Sequence, residues 1–527
     1  MRPVSNVANV ALLALFVAGC GSSQQPSVTP TPPEQPAAPT IVTASLEDVG
    51  LSSSALDRSV DPCDDFYQFA CGGWIAETEI PADKSRWSRS FSEIFERNEK
   101  TLRDILDKAA QNPEADEVSA KIGPFYAACM EEEVIEQAGL EPIQPLLDKA
   151  KRVKTPKDVA LLTAELHKRK IFPLFDISAS QDFKDASRMI AYLDQNGLGL
   201  PDRDYYLRTD EASKALRKRY EDHIRKMLEL AGMKPKQAGE AAIEVIAIET
   251  ALAEASKTRV ERRDPVGLYN KVDREGLPKL ANDFAWDAYF QALGHDDIRD
   301  VNVTAPAFFE KIGQLLREVK GPGWQAYFQW HIVHATAPLL PKAFVEENFA
   351  FESALTGAKE LPERWKRCVA STDRALGELL AQPFVKETFP GHAKEAVETM
   401  VHEIGRVFSG ELDRLDWMDE ETRKRAHEKL ASMAYLIGYP DKWKSYDFSI
   451  GGSYAENVLE ARAFDLSREL AKVGKPVDRE EWHMTPPTVN AYYHPLYITW
   501  SSRRGSSSRR FMAKTRVSRS TSAAWAW

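Results

Sequence analysis

The chain has 527 residues, of which 43% are hydrophobic and 28% charged, and its formal net charge is −10 at pH 7. This composition supports one large core or two smaller ones, and it excludes disorder as the default state. Residues 1–497 are acidic and contain no basic stripe. Nucleic-acid binding is therefore not expected, because phosphate neutralisation requires clustered Lys and Arg.

The N-terminal residues are predicted to be a targeting segment. Arg2 precedes a short apolar run over residues 7–17, which is too short to cross a bilayer because a spanning helix needs about twenty residues. The ending Val-Ala-Gly-Cys at Cys20 resembles a bacterial lipobox, so residues 1–20 are predicted to be a lipoprotein signal peptide with Cys20 as the lipidated residue. A plain secretory signal that happens to contain a cysteine is the alternative.

Residues 21–45 are rich in Pro, Ser and Thr and predict an extended tether. The expected location is that of an exported bacterial lipoprotein, attached to a membrane through its lipid only, on the periplasmic or outer-membrane face. Four cysteines follow the tether: Cys63, Cys71, Cys129 and Cys368. In an oxidising compartment disulfides are expected among them, but three pairings are possible and spacing does not choose between them.

Most of the remaining chain is predicted to be helical. Apolar residues recur at three- and four-residue steps from Val397 to Leu415, which is typical of an amphipathic helix. Similar stretches cover residues 86–110, 158–168, 212–231, 238–258, 305–319 and 420–433. Alternation typical of strands is sparse, so the expected fold class is mainly α.

Two histidine patterns resemble metal sites but lack the required ligands. His402 and Glu403 begin like the zinc-protease helix His-Glu-x-x-His, yet the second histidine position is Arg406, a permanent cation that cannot ligate zinc. A solvated surface histidine is favoured there. His331 and His334 are three residues apart, but no third ligand lies at a telling distance, so packed or hydrogen-bonded histidines are favoured.

The segment that begins at Gly197 reads GLGLPD and resembles the start of a dinucleotide fingerprint. Pro201 and Asp202 replace the expected third glycine and helix entry, so nucleotide binding is disfavoured. Chemistry alone therefore finds no complete catalytic site in this sequence.

Several longer segments resemble one known family. Residues 61–74 read DPCDDFYQFACGGW, residues 197–207 read GLGLPDRDYYL, and residues 489–493 read VNAYY. In this order they resemble the neprilysin and endothelin-converting-enzyme family of zinc metallopeptidases, and the resemblance extends over residues 51–496.

The resemblance implies a two-lobed, mainly helical peptidase that acts on peptides and uses zinc. By this resemblance residues 46–485 form the helical N-terminal domain, and residues 486–497 begin the catalytic domain. The family's zinc ligands lie after this point, in a His-Glu-x-x-His helix and a downstream Glu. None of these ligands is present in the sequence, so no catalytic or metal-ligating residue is assigned.

Three residues are predicted to bind substrate because their positions match the family's. Asn490 and Ala491 match a segment that lies along the bound peptide as an added strand. Arg86 matches an arginine that holds a substrate's C-terminal carboxylate in some members, and a surface salt bridge is the alternative for it. The resemblance also pairs Cys129 with Cys368 and leaves Cys63 and Cys71 without partners.

Residues 498–527 differ in composition from the rest of the chain. They contain no acid, eight Ser and seven basic residues. The expectation is an aberrant, out-of-frame tail that replaces most of the catalytic lobe, which leaves a peptidase-family chain that is inactive as written. The alternative is a non-catalytic lipoprotein module of the envelope that binds peptides or a protein.

Overall fold

Helices make up most of the computed structural model, which describes residues 45–47, 52–389 and 391–503. They are α1 Phe66–Glu77, α2 Phe91–Gln111, α3 Ser119–Met130, α4 Glu132–Ala138, α5 Gln144–Ala150, α6 Pro156–His167, α7 Asp204–Leu207, α8 Glu211–Leu230, α9 Pro235–Ala255, α10 Leu277–Leu280, α11 Trp286–Leu293, α12 Pro306–Glu318, α13 Gly321–Thr336, α14 Lys342–Thr356, α15 Arg364–Thr388, α16 Gly391–Leu412, α17 Glu420–Ala431 and α18 Tyr454–Leu470. The mainly helical fold class is confirmed, and every stretch predicted from apolar periodicity contains a helix, although α2 begins at Phe91, five residues after the predicted start, and α9 ends at Ala255, three residues before the predicted end.

The described residues from Ser52 to Arg503 form one unit, and of the preceding 51 residues only 45–47 are described. The predicted signal peptide, the lipidation site Cys20 and nearly all of the tether therefore lie outside the described residues, as do residues 504–527. Among the helices that are described, none combines the length and the apolar character needed to cross a membrane.

Side-chain hydrogen bonds cap the N-termini of several helices. Thr155 accepts a hydrogen bond from the backbone of Asp158 at the start of α6, and the Asp158 side chain caps Thr155 in return. Ser453 and Glu456 form the same reciprocal box before α18. Such pairs satisfy backbone donors that a helix start leaves free, so these two helix starts are encoded locally.

The structure also contains a four-stranded sheet, which was not expected from the sequence. Its strands are β1 Phe175–Asp182, β2 Asp185–Gln195, β3 Lys271–Asp273 and β4 Asp300–Val303, in the order β1-β2-β4-β3. β1 and β2 form an antiparallel hairpin, and β2 runs parallel to β4. In β2 the consecutive side chains from Met189 to Leu193 are all buried. Burial on both faces removes the alternation that would have revealed this strand.

A second sheet contains β5 Ala434–Gly438, β6 Ala491–His494 and β7 Thr499–Arg503, in the order β5-β7-β6. β7 is the central strand, parallel to β5 and antiparallel to β6. It belongs to the segment expected to be an aberrant tail, and its Thr499 and Ser501 side chains are buried. The structure thus includes the first residues of that segment in a sheet, while the out-of-frame origin of residues 498–527 stays a prediction.

Two large apolar cores hold most of the described helices together. The first core lies within residues 143–355 and the end of α18, and the second is built mainly from α2, α3, α15 and α18. A disulfide between Cys129 of α3 and Cys368 of α15 lies in the second core, so the predicted pairing is confirmed. Cys63 and Cys71 are free thiols.

A buried carboxylate anchors the GLGLPD segment to the helices around it. Glu249 of α9 is fully buried and accepts hydrogen bonds from the hydroxyls of Tyr206 and Tyr220, each at 2.8 Å. The indole nitrogen of Trp330 donates to its other oxygen at 3.2 Å. Because Tyr206 also accepts the backbone N–H of Leu200, the segment is tied into the first core.

Candidate functional site

Two cavities lie side by side along α2. The first has a volume of about 960 Å³ and the second about 670 Å³, and both are lined by Phe95, Val489 and Asn490. Phe91 lines the first cavity, whereas Asn98, Glu99 and Leu102 line the second. One face of α2 therefore forms a wall of both cavities, because positions three and four apart share a helix face.

The first cavity brings together two residues that the sequence predicted separately. Arg86 and Asn490 both line it, although they are some four hundred residues apart in the chain. Arg86 precedes α2, is exposed, and makes no ion pair with any residue in the described part of the chain. Apolar side chains such as Phe91, Phe349 and Leu361 complete the walls. The cavity thus combines the Arg86 guanidinium with an apolar surface.

Asn490 leads into an edge strand. Its side-chain oxygen accepts the backbone N–H of Ala491 at 2.8 Å, and Ala491 begins β6. β6 pairs with β7 on one side, and its other edge is unpaired among the described strands. An open edge of this kind accepts an extended peptide through backbone hydrogen bonds. Ala491 itself is exposed and does not line either cavity.

The segment before Asn490 is fixed to two helices. The side-chain amide of Asn98 on α2 donates to the carbonyl of Pro487 at 2.9 Å. The Thr485 hydroxyl donates to the Asp373 carboxylate on α15 at 3.2 Å. A Cβ on Gly377 would lie 2.2 Å from the Thr485 methyl, so the close approach requires glycine there. The position of Asn490 is therefore set by α2 and α15.

Two carboxyl groups near the cavities, those of Asp83 and Glu99, have pKa values shifted in opposite directions. Partial burial opposes ionisation of Asp83, but the ammonium of Lys366, 2.8 Å away, holds the pKa of that carboxyl below its usual range. Burial instead raises the pKa of Glu99, against the opposing influence of Lys84 and Lys366. Glu99 was missed by sequence reasoning. The available signal was an acid within the apolar stripe of α2, between Phe95 and Leu102.

The histidines singled out in the sequence lie either on the surface or packed within the first core. His402 is exposed on α16, and the guanidinium of Arg406 pairs with Glu403 at 2.8 Å. His331 is buried with its Nε2 atom 3.2 Å from Glu249, and the ring of His334 stacks on Trp330. Within residues 45–47, 52–389 and 391–503, no three His, Cys, Asp or Glu side chains are grouped as a metal site requires. The described residues therefore provide no set of ligands that fits a zinc ion.

Comparisons with known proteins place the chain among peptidases. A family profile described as Peptidase family M13 matches residues 62–440. The endothelin-converting enzyme homolog of Locusta migratoria is 30% identical over 475 residues, which is 84% of this chain and 64% of that protein. Human endothelin-converting enzyme 1 is 32% identical and covers 84% of this chain, which spans 60% of its length.

Solved structures agree with the sequence comparisons. The crystal structure of the Mycobacterium tuberculosis zinc metalloprotease Zmp1 in complex with an inhibitor superposes with a TM-score of 0.81 and 32% identity. That similarity covers 86% of this chain and 70% of the Zmp1 chain. The chain therefore spans somewhat under two thirds of the length of the two curated relatives.

Proposed function

The chain belongs to peptidase family M13, the neprilysin and endothelin-converting-enzyme family of zinc metallopeptidases. We propose that it binds short peptides in the cell envelope. The observation that carries the proposal is the cavity lined by both Arg86 and Asn490. The family resemblance assigns both residues to substrate, Asn490 to the peptide main chain and Arg86 to the C-terminal carboxylate, and the cavity brings them together.

In the proposed complex, the peptide adds to the open edge of β6 next to Asn490. Backbone groups of Ala491 bond the peptide main chain, as in strand addition generally. The peptide's C-terminal carboxylate lies against the Arg86 guanidinium, which can bond both oxygens at once. The apolar walls of the first cavity accept apolar side chains of the peptide.

We further propose that the 527-residue chain binds peptides without hydrolysing them. Zinc would supply the water-activating chemistry of this family when bound, but the described residues provide no ligand set for it. The sequence also contains no His-Glu-x-x-His. No step of peptide hydrolysis is assigned to the residues of this chain.

Fluorescence anisotropy with a labelled five-residue peptide tests the proposal. We expect the peptide with a free carboxylate to bind at least about tenfold more tightly than its C-terminal amide, because a charge-assisted bidentate contact is worth about 1.5–3 kcal/mol. Arg86→Ala should abolish this difference. Arg89→Ala is the matched control, since Arg89 lies three residues away and lines neither cavity.

Equal binding of the acid and the amide by the wild-type chain would refute the role of Arg86. Metal analysis and a quenched peptide substrate test the absence of hydrolysis on the same protein. Stoichiometric zinc together with chelator-sensitive cleavage would show that the chain is a complete enzyme.

The envelope location is also part of the proposal, and it is supported by the lipobox-like ending at Cys20. Mass spectrometry of the N-terminus of the membrane-extracted protein should find an acylated Cys20. An unmodified N-terminus that includes residue 1 would exclude lipid anchoring.

A further inference from the structure

The second cavity contains an acid of unusual environment. Glu99 is only 7% exposed and lines the cavity. Among the described residues, no hydrogen bond or ion pair satisfies its carboxylate, whereas other acids at this cavity have partners. Glu378 pairs with Lys444 at 3.1 Å, and Asp465 pairs with Arg468 at 2.7 Å.

An unpaired carboxylate in this position is costly. Removing an ionised group from water without a counter-ion is one of the larger penalties in a protein, so such groups are normally paired. Burial accordingly raises the pKa of Glu99. Lys84 and Lys366 are close enough to oppose the shift, but both already lie beside Asp83. A cation that entered the second cavity would offset the penalty.

We propose that the second cavity is a subsite for a basic side chain of the bound peptide, with Glu99 as the residue that selects it. This inference rests on the proposed peptide-binding function. The cavity walls include Leu102, Val369 and Met484, which suit the aliphatic stem of a lysine or arginine. Arg374 also lines the cavity but is exposed, so water screens its charge.

The spacing of the two cavities along α2 sets where the basic residue is expected in a peptide that runs parallel to this helix. Phe91 and Glu99 are eight residues apart on α2, which corresponds to about 12 Å along the helix axis. An extended peptide advances about 3.3 Å per residue, so this distance spans about four residues. The basic side chain is thus expected at least about four residues before the C-terminal carboxylate. The Asn98 bond to Pro487 keeps α2 and the Asn490 segment in a fixed relation.

The test uses N-acetylated six-residue peptides with a free carboxyl group and Lys, norleucine or Glu as the first residue. Norleucine keeps the aliphatic stem but lacks the charge. At pH 7.5 the wild-type chain should bind the Lys peptide about tenfold more tightly than the norleucine peptide, and the Glu peptide most weakly. Glu99→Gln should remove the preference for Lys. Glu96→Gln is the control, because Glu96 lies on the same helix and pairs with Lys100 instead.

The outcomes separate this proposal from the general function. If the wild-type chain binds Lys and norleucine peptides equally, or if Glu99→Gln keeps the preference, the subsite proposal is overturned while peptide binding stands. If the norleucine peptide shows no dependence on its free carboxylate, the proposed function itself fails. The thermal midpoint of Glu99→Gln should not fall below that of the wild-type chain, since the variant removes a buried charge; a large fall would show that Glu99 has a structural partner and overturn the proposal.

Discussion

The packed region formed by the two cores differs sharply from the C-terminal region formed by α16, α17 and the second sheet. In the packed region even ionisable side chains such as Glu249 are fully buried and hydrogen-bonded. In the C-terminal region the apolar cluster consists of Val397, Val401 and Ile437 with Tyr435 packed against it. Ile404 and Phe408 of α16 are at least half exposed.

This contrast shows where the fold obtains its stability. Burial of large apolar side chains is the main favourable term in folding, and α17 contributes no buried residue to it. Its start is capped by Asp419, whose side chain accepts the Thr422 backbone N–H. Local caps and ion pairs each add only a little to the free energy of unfolding. The C-terminal region is therefore expected to unfold locally before the packed region does.

The largest effect is expected from the disulfide in the second core. Cys129 and Cys368 are 239 residues apart, and the chain-entropy model assigns about 5 kcal/mol to closing a loop of that length. The double variant Cys129→Ser and Cys368→Ser should lose about this much free energy of unfolding, measured by urea denaturation. The matched pair Cys63→Ser and Cys71→Ser should change it by less than about 0.5 kcal/mol, because both thiols are free. Similar losses in the two pairs would contradict the comparison.

A somewhat smaller effect is expected from one tryptophan of the first core. Trp330 is fully buried, stacks with His334, and donates to Glu249. Trp330→Ala should cost about 3–5 kcal/mol, because it leaves a cavity and removes the indole hydrogen bond from one oxygen of Glu249. Trp417, which is 76% exposed in the C-terminal region, provides the control, and Trp417→Ala should cost less than about 0.5 kcal/mol. Denaturation followed by far-UV circular dichroism measures both, and comparable losses would remove the distinction between the regions.

The same contrast explains what the sequence could reveal. Helices such as α2 and α8 have one buried face, so apolar periodicity located them. β2 is buried on both faces and gives no alternation, and β7 lies in a segment whose composition concealed its pairing with β5. Family resemblance located Arg86 and Asn490. Glu99 was found by neither route, because the burial of an acid depends on which elements pack around it.

A buried histidine of the packed region gives the last and smallest effect. His167 is fully buried, its Nδ1 atom lies 2.8 Å from the Tyr289 hydroxyl, and burial lowers its pKa to about 3. The folded chain therefore keeps this ring neutral at pH 5, whereas the unfolded chain protonates it below its ordinary value of 6.5. Protons then favour the unfolded state, so stability is lost as the pH falls from 6.5 towards 3.

By linkage, the loss from this one group between pH 7 and pH 5 is about 2 kcal/mol. His167→Phe lowers stability at pH 7, because the hydroxyl of Tyr289 and the carbonyl of Pro173 lose a partner. It should nevertheless lose about 2 kcal/mol less than the wild-type chain when urea denaturation is repeated at pH 5. Carboxylates contribute equally to both chains and cancel in this difference. Parallel losses would show that water or a further acceptor reaches His167, and that the packed region is more open than its side-chain burial indicates.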